Sequence, residues 1–208
     1  AGFKHKSPVE GREWTTDLTY NRNRRDSRSG FTTTTFGSDD GSVPGGSRIQ
    51  ISTGRTESDQ FTWQFDRQDP RNERTKFDYG LRSNVRMERS LLDVVVATDT
   101  SAAQAEPDLS NDYRITDVVN AAYVNWTHKL NANWGVQAGL RAEQTWFEAD
   151  VRGPEDGRRN TFTYRYPSGA DDLARALFPA LYFSRKWEGS REIQINVSRK
   201  ISRPNFFQ

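Results

Sequence analysis

The residues able to do chemistry in this chain are few, and their types exclude more than they allow. There are two histidines, His5 and His128, and no cysteine. That set cannot build a His/Cys metal centre and offers neither disulfides nor a thiol nucleophile. Asp39-Asp40 and Asp171-Asp172 are paired acids that could offer oxygens to calcium. Calcium takes six or more such ligands, so both pairs read better as solvated loop charge. A Ser-His-Asp triad needs its serine presented on a sharp turn of the G-x-S-x-G kind, and no such frame occurs. Gly45-Gly46-Ser47 matches no phosphate-loop or dinucleotide fingerprint. Asn125-Trp126-Thr127 and Asn196-Val197-Ser198 have glycosylation spacing but fall in predicted strands. The expectation is therefore a non-enzyme, with no catalytic residue, cofactor or metal. Binding chemistry remains. The arginines of residues 22–28 could grip phosphate groups, or else form a salt-bridged strand end. Phe162, Tyr164 and Tyr166, in a predicted long loop, could stack on a ring-bearing ligand.

The elements that would position these groups are written in alternation. Trp134, Val136, Ala138, Leu140 and Ala142 alternate with Gly135, Gln137, Gly139, Arg141 and Glu143. Just upstream, Ala122, Val124 and Trp126 alternate with Tyr123, Asn125 and Thr127, and Asn131-Ala132-Asn133 supplies the turn. Such period-two patterning predicts a hairpin, apolar on one face and polar on the other. Residues 75–88 give the cleanest case, with Phe77, Tyr79, Leu81, Val85 and Met87 on one face, broken only by Ser83. Further strands are predicted around Trp14–Tyr20 (Trp14, Thr16, Leu18 and Tyr20 on one face), around Phe61, Trp63 and Phe65, and around Leu181 and Phe183. A last strand carries Ile193, Ile195 and Val197. Residues 31–36, rich in threonine, are expected to prolong the second strand. Residues 91–97 are apolar on both faces, which predicts a bulge or cover by another segment.

Only 33% of the 208 residues are hydrophobic and the mean hydropathy is -0.92, a lean core for a soluble globule. Aromatics at 12% and the regular alternation argue against disorder. No apolar run is long enough for a transmembrane helix. With 30 basic against 28 acidic residues, the charge balance gives little support to nucleic-acid binding. A soluble sheet and a transmembrane barrel could both produce such strands, and the connections separate them. Short turns are predicted near residues 7–11, 69–73, 130–133 and 187–190, and long polar loops near 37–47, 99–111 and 153–174. That sorting, with strands longer than the usual five or six residues, is the pattern of an outer-membrane barrel. Trp14, Trp63, Phe65, Phe77, Tyr79, Trp126, Trp134, Phe183 and Trp187 would then form an interfacial girdle near the short turns. The predicted lipid-facing residues are Phe77, Tyr79, Leu81, Val124, Trp126, Val136, Leu140, Leu181, Phe183, Ile193, Ile195 and Val197.

The segments AAYVNWTHKL, GVQAGLRAEQT, LFPALYFSRKW and INVSRKISRPNFFQ resemble the barrel of TonB-dependent outer-membrane receptors, most nearly the outer-membrane β-barrel family common in Bacteroidota. The most specific pieces are Gly139-Leu140-Arg141-Ala142-Glu143 and the run ending in Arg203, Pro204, Asn205 and Phe206. The resemblance implies an all-β, antiparallel up-and-down segment of about eight long strands, residues 1–208 forming part of one larger, 22-stranded barrel domain. The plug domain, the TonB box and the C-terminal strands are expected to lie outside this stretch. It implies active uptake of a nutrient of siderophore, glycan or peptide class across the outer membrane of a Gram-negative bacterium. The implied partners are outer-membrane lipid, lipopolysaccharide, the TonB complex and a small-molecule or oligomeric ligand. A non-transporting barrel (adhesin or scaffold) and a soluble carbohydrate-binding sheet are the alternatives.

Overall fold

Strict alternation gives each strand one apolar face and no internal stop, so strands run until turn chemistry ends them. The computed structural model describes residues 1–37, 45–99, 101–152, 159–189 and 191–200. In chain order the strands are β1 (Gly2–Lys6), β2 (Glu13–Thr35), β3 (Gly46–Pro70), β4 (Thr75–Thr98), β5 (Ser101–Ala105), β6 (Asn111–Lys129), β7 (Trp134–Arg152), β8 (Arg159–Tyr166), β9 (Leu177–Trp187) and β10 (Arg191–Ser198). Short 3₁₀ segments, Pro107–Leu109 and Ala170–Ala176, precede β6 and β9. All ten strands join one sheet in the order β1-β2-β3-β4-β6-β7-β9-β10, with β5 beside β4 and β8 beside β7. Every pairing is antiparallel. The fold is the expected up-and-down β-barrel segment, all-β among the described residues apart from two 3₁₀ segments.

The short connections lie at one end and are held by local hydrogen bonds. Asn72 Oδ1 accepts from the backbone N–H groups of Arg74 and Thr75 at 3.0 and 2.8 Å. Asn131 Oδ1 does the same for Asn133 and Trp134 at 2.9 and 3.0 Å. These are Asx turns. Gly11 and Gly189 adopt φ of 72° and 77°, where a side chain would be strained. Neighbouring turns are also tied together: Lys129 N donates to Arg74 O, and Lys186 N to Asn133 O, both at 2.8 Å.

Several predicted boundaries move. Asp69 and Pro70 are the end of β3 rather than a turn, and Trp187 closes β9. Asp69 pairs across the sheet edge with groups from two turns, Arg12 Nε at 2.8 Å and Arg71 at 3.2 Å, which holds it extended. The expected loop at 99–111 contains β5, which pairs with Val95 and Val96 and leaves a register shift before Thr98. This is the bulge and cover that the doubly apolar stretch 91–97 called for. The expected loop at 153–174 contains β8 and the Ala170–Ala176 segment.

Register fixes the strand tilt. The cross-strand row through Glu13, at the β1–β2 turn, passes Gln68, Asp78, Asn125 and Gly139 to Ala180. β9 then continues to its own turn at Trp187, seven residues further. At ~3.3 Å per residue and ~4.8 Å between strands, seven residues over the five spacings of that row amounts to a tilt of roughly 40–45°. Closed barrels need roughly 35–45°. From Phe77 to Met87, β4 rises roughly 33 Å at that repeat, or about 25 Å along the normal once tilted, the height of an outer-membrane apolar band.

The Asp69 link is a test of the turn end. Asp69→Ala strands the half-buried Arg12 and is expected to cost about 1.5–3 kcal/mol. Arg71→Ala, at an exposed partner, should cost less than about 1 kcal/mol. Urea unfolding of the full-length protein in detergent would check this, and equal small losses would refute the bridge.

Candidate functional site

Residues paired across an antiparallel ladder share a face, so the register assigns every side chain to one of two surfaces. One surface reads, strand by strand, Trp14, Thr16, Leu18 and Tyr20; Phe65, Trp63 and Phe61; Phe77 to Met87; Trp126, Val124, Ala122 and Val118. It continues through Val136, Ala138 and Leu140, then Leu181 and Phe183, then Ile193, Ile195 and Val197. All twelve residues expected from the sequence to face lipid share this one surface. Large side chains stay open here: Leu81 is 46% exposed, Leu140 42% and Leu181 54%. The one polar interruption in β4, Ser83, stands opposite Asn120 and donates to its Oδ1 at 2.8 Å, so the pair satisfies itself.

The ends of this apolar surface are marked by different groups. Near the short turns, the Arg185 guanidinium lies 4.6 Å from the Trp134 ring and 4.5 Å from that of Trp187. His128 stacks on Trp126, and its Nδ1 is 2.9 Å from Thr75 Oγ1. Amphipathic rings with a cation among them are the usual composition of a membrane interface. Trp63 departs from the expected girdle. It pairs with Leu18 and Ser83, well away from the turn, and its indole N–H donates to Thr16 Oγ1 at 3.1 Å. Toward the long connections, apolar residues give way to Arg22, Asp59, Arg24, Glu57, Asp26 and Arg55. Here Arg55 donates to Asp26 at 2.8 Å. That hydrogen bond first, and Arg24 and Arg55 charge next, hold the Asp26 carboxyl below its ordinary pKa. The link contributes above the ordinary aspartate range and is lost as pH falls through the lowered value.

The opposite surface is polar and carries most of the burial. Val94, Val96, Ile115, Ala121, Phe147 and Phe178 are its buried apolar residues, and Glu88 its buried acid. Glu88 accepts from Arg86 at 2.6 Å, and Arg141 donates to Glu143 at 2.6 Å. The contrast in burial marks this surface as the concave side. At its centre a single row reads Asp66, Gly80, Tyr123, Arg141 and Phe178. Tyr123 reaches across Gly80, one strand over, and donates its hydroxyl to Asp66. A Cβ at Gly80 would run into the backbone carbonyl oxygen of Phe65 and lie 2.7 Å from Tyr123 Oη and 2.8 Å from Asp66 Oδ1, so only glycine leaves room.

Phe162, Tyr164 and Tyr166 are corrected from loop to strand. They lie in β8 opposite Ala149, Phe147 and Thr145, which puts them on the concave face at the long-connection end. Strand pairing explains the difference: β7 continues far enough past β9 to template another strand. Phe162 meets Phe147 edge-on at 6.3 Å, and Phe162 and Tyr164 remain 58% and 46% exposed. Phe147 and Phe178 were not singled out from sequence. Their alternation with neighbours signalled a strand but not which face would be covered. Asp172 sits in the 3₁₀ segment, accepts from Ser168 and lies 3.5 Å from Arg175. Asp39, Asp40, Arg203, Pro204, Asn205 and Phe206 fall outside the described residues. Among the described residues no three His, Cys, Asp or Glu side chains converge as a metal site would need.

A tilted antiparallel sheet of this height, apolar outside and polar within, is a section of transmembrane barrel wall. The chain belongs to the outer membrane protein beta-barrel family, which it matches over residues 5–208, and its place is the outer membrane. The ferric citrate transporter FecA, in its unliganded form, superposes with a TM-score of 0.56 at 15% identity, over 95% of this chain and 26% of that one. The ferric yersiniabactin uptake receptor FyuA from Yersinia pestis matches with a TM-score of 0.44 at 15% identity, over 89% and 27%. The chain thus spans about a quarter of the length of these structures. No curated protein matches it by sequence.

The Tyr123–Gly80–Asp66 row generates a prediction. Gly80→Val crowds the Phe65 carbonyl, forces Tyr123 aside and is expected to cost about 1–3 kcal/mol. Urea unfolding in detergent would read this, and an unchanged midpoint would refute the packing role of the glycine.

Proposed function

We propose that this chain is part of the wall of a TonB-dependent outer-membrane transporter that takes up a nutrient of siderophore, glycan or peptide class. The carrying observation is the division of one staggered sheet into a continuous apolar face and a polar concave face. In this reading Phe77, Tyr79, Leu81, Val124, Trp126, Val136, Leu140, Leu181, Phe183, Ile193, Ile195 and Val197 meet lipid. The polar face lines the interior, the short turns are periplasmic and the long connections extracellular. Residues 1–208 form a section of one barrel domain, and the parts that engage the TonB complex and plug the lumen belong to the rest of the protein. The likeness of the fold to a ferric citrate transporter supports this assignment. The wall does no covalent chemistry. Phe162, Tyr164 and Tyr166, on the inner face at the outward end, are placed to stack on a ring of the incoming ligand.

The absence of cysteine from this stretch makes the facing directly testable. Single cysteines introduced in the full-length protein at Leu81, Val124 and Leu140, each labelled with an apolar fluorophore, should be quenched by lipid-borne spin labels. Those at Arg82, Tyr123 and Arg141 should react with water-soluble maleimide. Equal behaviour of the two sets would overturn the barrel-wall reading. Leu81→Arg or Leu140→Arg should each cost roughly 2–4 kcal/mol if near the bilayer midplane. Negligible costs at both would count against lipid contact. Alanine at Phe162, Tyr164 and Tyr166 together should weaken ligand binding without changing the amount of folded protein. Unchanged affinity would remove the trio from the ligand path.

A further inference from the structure

β8 and β9 pair with β7 along the same edge, β8 with its outward part and β9 with the part nearer the short turns. Their inward side chains therefore stand in one column. Facing Ala149, Phe147, Thr145, Arg141 and Gln137 of β7 are Phe162, Tyr164, Tyr166, Phe178 and Tyr182, each an aromatic ring. From Ala149 to Gln137 the column runs roughly 40 Å at the strand repeat. It does not close on itself as a core would. Phe162 is 58% exposed, Tyr164 46% and Tyr182 41%. Phe147, buried, meets Phe162 edge-on and leaves it open.

Below Phe178 the wall carries smaller side chains. Gly135 and Gly139 flank Gln137 on β7, and Tyr182 lines both of two cavities, of about 500 and 330 Å³. Neutral donors and acceptors stand around them: Gln137 and Ser184 in the larger, Asn125 and Ser198 in the smaller. Among the described residues the side chains of Asn125, Gln137 and Ser184 make no hydrogen bond. Beside the upper column the inward charges are paired, Glu88 with Arg86 and Glu143 with Arg141. Arg159 and Arg165 of β8 point to the other face. Lower down, Arg199 lies over the Phe178 ring at 6.0 Å and donates to Ala174 O. Glu192 stands opposite Lys186, and Lys129 and Lys200 stand at the cavity rims. An anionic chelate would thus meet open rings, not cations, at the outward end of the column. A sugar chain needs no cation there. Each pyranose offers an apolar C–H face to an aromatic ring, and hydroxyls at its rim to amides and alcohols.

We propose that this column is a track for an oligosaccharide. Its sugars stack in turn on Phe162, Tyr164, Tyr166 and Tyr182, and their hydroxyls meet Asn125, Gln137 and Ser184 at the cavities below. The track rests on the transport reading and deepens it: of the three nutrient classes it selects the glycan.

The test uses calorimetry on the full-length protein in detergent. The probes are maltohexaose and cellohexaose, maltose and cellobiose, a ferric hydroxamate chelate, and a hexapeptide. Wild type should bind at least one hexasaccharide about tenfold or more tightly than the matching disaccharide, because a longer chain engages more rings. The F162L/Y164L/Y182L variant keeps apolar bulk without the rings and should lose that gain with its Tm unchanged. Y164F/Y182F keeps the rings and should retain it. No binding of either hexasaccharide by wild type, no gain with chain length, or a gain that survives in the leucine variant would overturn the proposal. So would loss of the gain in Y164F/Y182F, which would move recognition from the ring faces to the hydroxyls. A lower Tm in the leucine variant would mean that the rings serve packing, and would also overturn it. Failure of the transport reading is distinguishable. A transporter of another class would bind the chelate or the peptide and ignore the sugars, whereas failure of the reading itself would leave every probe unbound.

Discussion

Hydrocarbon offers no partner to a backbone N–H or C=O, so a chain that crosses it must satisfy every such group internally. In this protein that constraint is met by ladder pairing between neighbouring long strands. Everything else follows from the register those ladders enforce. Once Phe77 is opposite Trp126 and Trp126 opposite Ala138, the face of every other residue on those strands is decided. A slip of one residue would carry Arg82, Arg141 and Glu143 to the apolar side, where unpaired charge is costly. The hydrophobic pattern and the hydrogen bonds therefore select the same alignment.

The same register produces the tilt. Turn ends that step progressively along the cross-strand rows cannot share a plane unless the strands lean, and the observed stagger asks for roughly 40–45° of lean. Tilt in turn sets how many residues the belt needs. Eleven positions from Phe77 to Met87 would overshoot an upright crossing and fit a leaning one. Beyond the belt the strands of β2, β3 and β4 keep pairing up to Thr35, Gly46 and Thr98. There water is again available, and charged pairs replace hydrocarbon.

Polar contacts are distributed to suit these two environments. On the apolar face the few hydrogen-bonding groups pair with each other, as Ser83 does with Asn120 and Trp63 with Thr16. On the concave face they form links such as Tyr123 with Asp66, where a glycine on the intervening strand makes the reach possible. Arginine dominates the basic residues, and its planar fork allows one side chain to stack between tryptophans, as Arg185 does, or to hold a carboxylate edge-on, as Arg12 does.

Period-two alternation alone settled the all-β class, the strands around 75–88 and 118–150, and the twelve apolar positions that share a face, because side-chain direction in a strand is strictly local. Asn and Gly at the short connections marked the turns for the same reason, though not the extension of β3 through Asp69 and Pro70, where Asp69 is also held by Arg12 from the β1–β2 turn. Which strand lies beside which, and in what alignment, is a non-local matter. Only the tertiary structure decided that Phe162, Tyr164 and Tyr166 extend the sheet against β7, that Trp63 sits deep in the belt, that Tyr123 bridges Gly80 to Asp66, and that Phe178 and Tyr182 continue the column of β8. Each of these depends on partners from another strand, up to 57 residues away for Tyr123 and Asp66. No periodicity within a single strand carries that information.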